Sequence, residues 1–223
     1  NDTYYNSEQW NLKNINAPGA WDVTKGSQSI IVAVIDSGMD PYHPDFSGLR
    51  ILNGYDYTLD SFDIWDSTGH GTSVTGIISA TGNNSQGIAG IAWNISVMPL
   101  HVVHTDGSAY VSDIGQAIYD ATDLGVDVIN ISLGTGGYSS YLQDAIYYAL
   151  VNGVTVVAAA GNDGTSINEY PAAYSGVISV GSVSSNNSHS SFSNYNEDVD
   201  FVAPGENVVS TTDPYYNGNY LYG

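Results

Sequence analysis

Three short segments carry side chains whose types and settings suit chemistry. Asp36-Ser37-Gly38 follows an apolar run, which puts a carboxylate at the end of an expected strand, just before a glycine turn. Gly69-His70-Gly71-Thr72 holds an imidazole between two glycines, at the apparent start of a helix with Val74, Ile77 and Ile78 as its expected inward face. Flanking glycines let a substrate come close, and histidine is the usual general base near neutral pH. In Ala158-Ala159-Ala160-Gly161-Asn162-Asp163-Gly164 an apolar strand runs into small residues and then an amide that can donate to a developing oxyanion. Each segment also has a plainer reading: an Asp-capped turn, a helix start with an incidental histidine, and a glycine turn. Together, in this order, they say more than any one alone. The other histidines lack such settings. His43, in His43-Pro44-Asp45, is expected to stabilise a turn, and His101, His104 and His189 to be structural or solvent-facing.

Positioning these groups requires strands that end where the polar residues begin. Ile30–Ile35 is a continuous apolar run, as a strand buried on both faces requires. Further strands are expected over 95–103, 126–133, 154–159 and 177–183. Between them, Ile114, Ala117, Ile118, Ala121 and Leu124 share one helical face, with Gly125 as a stop. Ser140 and Gln143 have the spacing of a capping box for a second helix with Leu142, Ala145, Ile146, Ala149 and Leu150 inward. Alternation of strand and helix predicts an α/β fold: a mostly parallel sheet with helices on both faces, in three layers. Ligands bind such sheets beyond the carboxyl ends of the strands, where the three segments fall. No linker or repeat divides the 223 residues, and the Ser/Asn-rich stretch 184–193 reads as a surface loop.

Composition narrows the function classes. Asp and Glu number 23 against 3 Lys and Arg, a net charge of −20. With only Lys13, Lys25 and Arg50 as fixed cations, phosphates cannot be neutralised, so nucleic acid and anionic membranes are poor partners. Dense carboxylates favour cations, Ca²⁺ among them. Cysteine is absent, which removes thiol catalysis and thiolate zinc sites. No apolar stretch reaches the roughly 18 residues a membrane span needs. No basic-then-apolar leader opens the sequence, so any signal segment is expected to be missing from this form.

In combination, Val34-Ile35-Asp36-Ser37-Gly38, Gly69-His70-Gly71-Thr72 and Ala159-Ala160-Gly161-Asn162 resemble the subtilisin-like serine proteases, the subtilases. The resemblance runs nearly end to end. It implies a subtilisin-like fold and a secreted endopeptidase using an Asp-His-Ser triad, with Asp36 and His70 as two members and Asn162 as oxyanion donor. It implies substrate segments at Gly107-Ser108-Ala109 and Ser132-Leu133-Gly134, with Ala159 and Gly161 on the facing wall of the P1 pocket. Small residues there suggest broad specificity for apolar or aromatic P1 side chains, with Asp163 at the rim able to attract a basic one. The resemblance further implies Ca²⁺ in the loop 81–88, through the side chains of Asp2, Asp45 and Asn84 and the carbonyls of Thr81, Gln86 and Ile88. A second calcium cluster is expected at Asp56, Asp60, Asp63 and Asp66. Protein or peptide substrates and a cleaved propeptide or inhibitor are the implied partners.

One departure from the family pattern is large. Asn217-Gly218-Asn219-Tyr220-Leu221-Tyr222-Gly223 resembles the lead-in to the nucleophile, whose serine would fall two residues later. Ser73 and Ser166, each in a Gly-Thr-Ser triplet, are not expected to replace it. The expectation is therefore a single peptidase domain over 1–223, an N-terminal part lacking the nucleophile helix, inactive alone and completed by its C-terminal remainder. The alternatives are an inactive subtilisin-like protein used for binding, and an acidic calcium-binding module without catalysis.

Overall fold

The computed structural model describes residues 1–212 and 219–223; Asn217 and Gly218 of the expected lead-in lie outside the described residues. Two short helices, α1 (Trp10–Asn14) and α2 (Ala17–Trp21), lead into β1 (Ile31–Asp36). The chain continues through β2 (Arg50–Ile51), β3 (Tyr55–Asp56), α3 (His70–Ser79), β4 (Ser96–His101), α4 (Val111–Asp123) and β5 (Val128–Ile131). Then come α5 (Ser140–Val151), β6 (Thr155–Ala159), β7 (Ile178–Val183), β8 (Phe201–Pro204), β9 (Val209–Thr211) and β10 (Tyr220–Tyr222). The main sheet has eight strands in the order β2-β4-β1-β5-β6-β7-β8, with β3 also pairing β4, and all its ladders are parallel. An antiparallel pair, β9 and β10, stands apart. No helix among the described residues is long and apolar enough to cross a membrane.

Successive strand residues face opposite sides of a sheet, and β1 divides the core accordingly. Ala33 and Ile35 pack with Ile114, Ile118, Leu142 and Ile146 of α4 and α5. Val32 and Val34 pack with Ile95, Val97 and the half-buried Val74 and Ile78 of α3. Helices therefore cover both faces, as the alternation of elements predicts.

Two details differ from the sequence reading. Helix α5 is capped by Ser139, whose hydroxyl accepts from the Leu142 N–H at 3.3 Å, while Gln143 accepts from the Tyr138 hydroxyl. The capping box at Ser140 and Gln143 does not form. In α3 the fully buried residues are Gly71, Thr72, Thr75, Gly76 and Ser79, with Val74, Ile77 and Ile78 only half-buried. This helix lies between the sheet and β9, so small residues face the closer neighbour. A Cβ on Gly76 would stand 2.1 Å from Thr211 Oγ1. The Ser210 and Thr211 hydroxyls donate to the carbonyls of Ser73 and Thr72 at 2.6 and 2.7 Å.

Candidate active site

Asp36 ends β1 and is fully buried, while His70 opens α3 with its side chain half exposed. His70 Nδ1 and Asp36 Oδ1 are 2.7 Å apart. The carboxylate only accepts, so Nδ1 carries the proton, and in the neutral imidazole Nε2 is left as an acceptor. Asp36 Oδ1 also accepts from the Ser37 N–H at 2.7 Å; its Oδ2 has no partner among the described residues. The hydrogen bond to Asp36 raises the His70 pKa above the usual imidazole value. Burial opposes that rise, and the charges of Asp36 and Asp66 add to it.

Asp66 is the organiser that sequence reading missed. It is fully buried, and its Oδ1 accepts from Ser37 Oγ at 2.8 Å and from the Gly69 N–H at 2.9 Å. Its Oδ2 accepts from the Thr72 N–H at 2.8 Å and the Thr72 hydroxyl at 2.7 Å. The N-cap residue Gly69 has no side chain, so Asp66 satisfies the first-turn amide of α3 in its place, at the end where negative charge is favoured. Ser37 Oγ in turn accepts from the Gly71 N–H at 2.9 Å. Strand end and helix start are thus tied through one carboxylate and one hydroxyl. Glycine is needed at Gly71, where a Cβ would stand 2.1 Å from the Gly38 carbonyl oxygen. The available signal was Asp66 itself, followed two and three residues later by the turn pair Thr68-Gly69.

His70 lines a cavity of about 560 Å³ together with Ser132, Ala159, Gly161, Asn162 and Gly223. Asn162 is exposed, beyond the end of β6. Leu133 and Gly134, which follow Ser132, are not among the residues lining this cavity: Leu133 packs on the core, and Gly134 lies against Glu169. Gly107, Ser108 and Ala109 form a turn closed by an isolated Val103–Ala109 bridge and do not line this cavity. Ser166 lies in a different pocket with His189. Ser132, Ser182 and Ser193 do line the cavity, but their hydroxyls meet Asn130, Ser190 and Asn194 respectively. Among the described residues no hydroxyl is bonded to the His70 ring.

Glu169 was also missed. Its Oε1 would stand 2.6 Å from a Cβ on Gly134, and its Cγ 3.2 Å from a Cβ on Gly161. It therefore lies beside Gly134 and Gly161, of which Gly161 lines the His70 cavity; burial and then the charge of Asp163 raise its pKa.

The loop 81–88 does meet the N-terminal segment. Asp2 Oδ1 and Oδ2 accept from the N–H groups of Asn84 and Asn83, both at 2.8 Å, and Thr3 donates to the Gln86 carbonyl. Asp45 Oδ1 accepts from Asn84 Nδ2 at 3.1 Å, and its Oδ2 from the Ile88 N–H and the Tyr220 hydroxyl. Thr81 donates to the Asp45 carbonyl. Asp2 and Asp45 are buried, and neither pairs with Lys or Arg among the described residues. Asn84 presents Nδ2 to Asp45 while its Oδ1 accepts from the Gln86 N–H at 2.8 Å, so the two buried carboxylates and the amide oxygen are engaged by N–H donors, and among the described residues no group of three or more Asp, Glu or His side chains could hold a metal. The second cluster is not assembled. Asp56 serves Thr58 and Leu59 and faces His101, Asp60 takes the Tyr55 hydroxyl, Asp63 takes the Trp65 N–H, and Asp66 is committed beneath His70. His43 behaves as expected, accepting from the Asp45 N–H at 3.1 Å.

The solved structure of a protease from Pseudoalteromonas arctica is similar over all of this chain and 81% of its own, with TM-score 0.90 and 33% identity. A cold-adapted subtilisin-like serine proteinase matches 89% of this chain and 70% of its own, with TM-score 0.80 and 33% identity. Among curated proteins, the thermophilic serine proteinase of Bacillus sp. strain AK1 is 46% identical over 95% of this chain. Thermitase of Thermoactinomyces vulgaris is 41% identical over the same share. The chain spans 52% of the first of these relatives and 75% of the second. Residues 27–222 match the model of the subtilase family. With the buried Asp36 under His70 and this likeness along nearly its whole length, the chain belongs to the subtilase family.

Proposed function

We propose that the protein is a secreted serine endopeptidase in which Asp36 and His70 activate a serine supplied from outside these 223 residues. The observation that carries this reading is the Asp36–His70 pair, at 2.7 Å, opening onto one cavity with Asn162 and Gly223. The serine hydroxyl attacks the peptide carbonyl, and His70 Nε2 takes its proton and passes it to the leaving amine. Asp36 holds the Nδ1–H tautomer and stabilises the imidazolium. Asn162 donates to the tetrahedral oxyanion, a contribution worth about 10²–10³ in rate in subtilisin itself. Water then releases the acyl group by the same proton path in reverse.

Glu169 changes the expected pocket preference. A carboxyl between Gly134 and Gly161 adds basic P1 side chains to the apolar ones that the small residues admit. Asp2, Asp45 and Asn84 would hold a Ca²⁺ that ties the N-terminal segment to the loop 81–88. Chelation should then lower the melting temperature, and Asp45→Ala should remove most of that response; an unchanged melting temperature in excess chelator refutes the site.

The activity is tested with a serine-directed phosphonate probe and a fluorogenic peptide, on the 223-residue chain and on the full-length protein. Labelling and turnover are expected only in the full-length protein. Labelling of the shorter chain that is lost on Ser73→Ala or Ser166→Ala would move the nucleophile. No labelling of either form would favour the reading as a catalytically inactive binding protein.

A further inference from the structure

A second cavity, also about 560 Å³, opens between β3, the loop after it and α4, and shares no lining residue with the His70 cavity. Three aromatic rings wall it. Tyr55 stands edge-on to Tyr57 at 5.0 Å and 67°, and to Phe62 at 5.3 Å and 86°. All three rings contribute to the lining of the cavity. Two carboxylates share the wall. Asp60 takes the Tyr55 hydroxyl, and Asp120 takes the Tyr57 hydroxyl at 2.9 Å and Gln116 Nε2 at 2.8 Å. These bonds fix the carboxylates beside the rings and leave lone pairs unused. Phe62, at 78% exposure, is an apolar ring held in solvent.

No fixed cation of the chain serves this wall. Lys13 donates to the Asn6 carbonyl, Lys25 sits over the Trp93 ring, and Arg50 donates to the Gln28 carbonyl.

We propose that this cavity binds the basic side chain, arginine or lysine, of a polypeptide partner. Aromatic faces attract such a cation, more strongly as it is desolvated. Leu52, Met98 and Leu100 supply apolar surface for its methylene stem. Asp60 and Asp120 complement its charge, and the net charge of −20 steers basic segments toward the surface. A bare metal ion fits poorly, because it needs about six to eight oxygens and this wall is mostly carbon. A neutral apolar ligand would strip water from two carboxylates and give them no partner. The proposal does not depend on the peptidase reading.

The test is an NMR titration of the full-length protein with N-acetyl-arginine N-methylamide and with its neutral isostere, N-acetyl-citrulline N-methylamide. The arginine amide should move the ring resonances of Tyr55, Tyr57 and Phe62 with a Kd about tenfold lower than the citrulline amide, the scale of a partly desolvated cation–aromatic contact. Asp120→Asn should erase that preference. Asp60→Asn, in an exposed loop, should do the same and serves if the first variant fails to fold. Phe62→Ala should weaken the binding of the arginine amide. Equal affinity for the two amides, no movement of these rings, or shifts confined to the surroundings of His70 would overturn the proposal.

Discussion

The two faces of β1 solve the burial problem in different ways. On the α4–α5 side, large aliphatic side chains such as Ile118, Ile129, Leu142 and Ile146 fill the space, each with at most 1% exposure. On the α3 side the buried helix positions are Gly71, Thr72, Thr75, Gly76 and Ser79, and hydroxyls from β9 reach the helix carbonyls. The first face gains its stability from area removed from water. The second forgoes part of that gain and holds α3 close and in fixed orientation between two layers. Its polar groups continue, through Thr72, Asp66 and Ser37, to Asp36 and His70. The chemical groups stand at the end of the face organised by hydrogen bonds.

That division predicts separable effects. The largest belongs to Asp36→Asn in the full-length protein: peptide hydrolysis should fall about 10⁴-fold through loss of the correct imidazole tautomer, with the fold retained by circular dichroism. A residual rate within tenfold of the parent would break the assignment of the polar face to chemistry. Next comes Ile118→Ala on the apolar face. It should cost about 2–5 kcal/mol in denaturant unfolding, while kcat/KM of the folded protein stays near the parent value. A large drop in kcat/KM without loss of stability would mean that the faces are not separable.

Asp66→Asn probes the joint between the two. A distorted start to α3 should reduce kcat about 10–100-fold, the scale of small misplacements. The proton balance gives the sign of the pH effect. Folding raises the His70 pKa, so its ionised pairing stabilises the fold below the ordinary imidazole value, and that contribution is lost as pH rises through the raised value. The base form dominates only above the raised value. Removing the Asp66 charge lowers it, so the acid limb of the pH–rate profile should move to lower pH. An unmoved limb would leave Asp66 a purely structural role. The smallest effect is at Glu169→Gln, which should reduce the preference for lysine over leucine at P1 by about threefold to tenfold, as for a partly exposed ion pair. Unchanged selectivity in a P1 peptide series would remove Glu169 from the pocket.

The same contrast explains what the sequence could reveal. Helices α4 and α5 were legible because each packs on the sheet with an apolar stripe, and periodicity reports such stripes. Helix α3 is held from two sides, and its closer neighbour demands small residues, so the apolar Val74 and Ile78 indicated the face toward the sheet but not the more deeply buried small-residue face. Asp36, His70 and Asn162 were legible from local context at strand and helix ends. Asp66 looked like one of four clustered carboxylates; Asp56 and Asp66 are both buried, and only the crossover from β1 to α3 shows that Asp66 is the one beneath His70. Glu169 reaches Gly134 only through the pairing of Thr135 with Tyr170, whose amides and carbonyls exchange bonds at 2.9 and 2.8 Å. Strands β8, β9 and β10 are three or four residues long and carry no alternation long enough to read.

The all-parallel ladder has a kinetic consequence. Parallel neighbours cannot be joined by a tight hairpin, so each pairing waits for a crossover to form. Strand β1, at the centre, is complete only when Ile31 has met Ser96 on one side and Val32 has met Val128 on the other. His43 closes on the Asn219 carbonyl across 176 residues. Loop-closure entropy must be met before these distant contacts return free energy, which places the chain among slow folders with unpaired strand edges exposed on the way. Contacts that form only after the transition state also have to be broken before the chain can open. At a given stability, a chain that folds slowly for this reason also unfolds slowly, because the ratio of the two rates is fixed by the equilibrium constant.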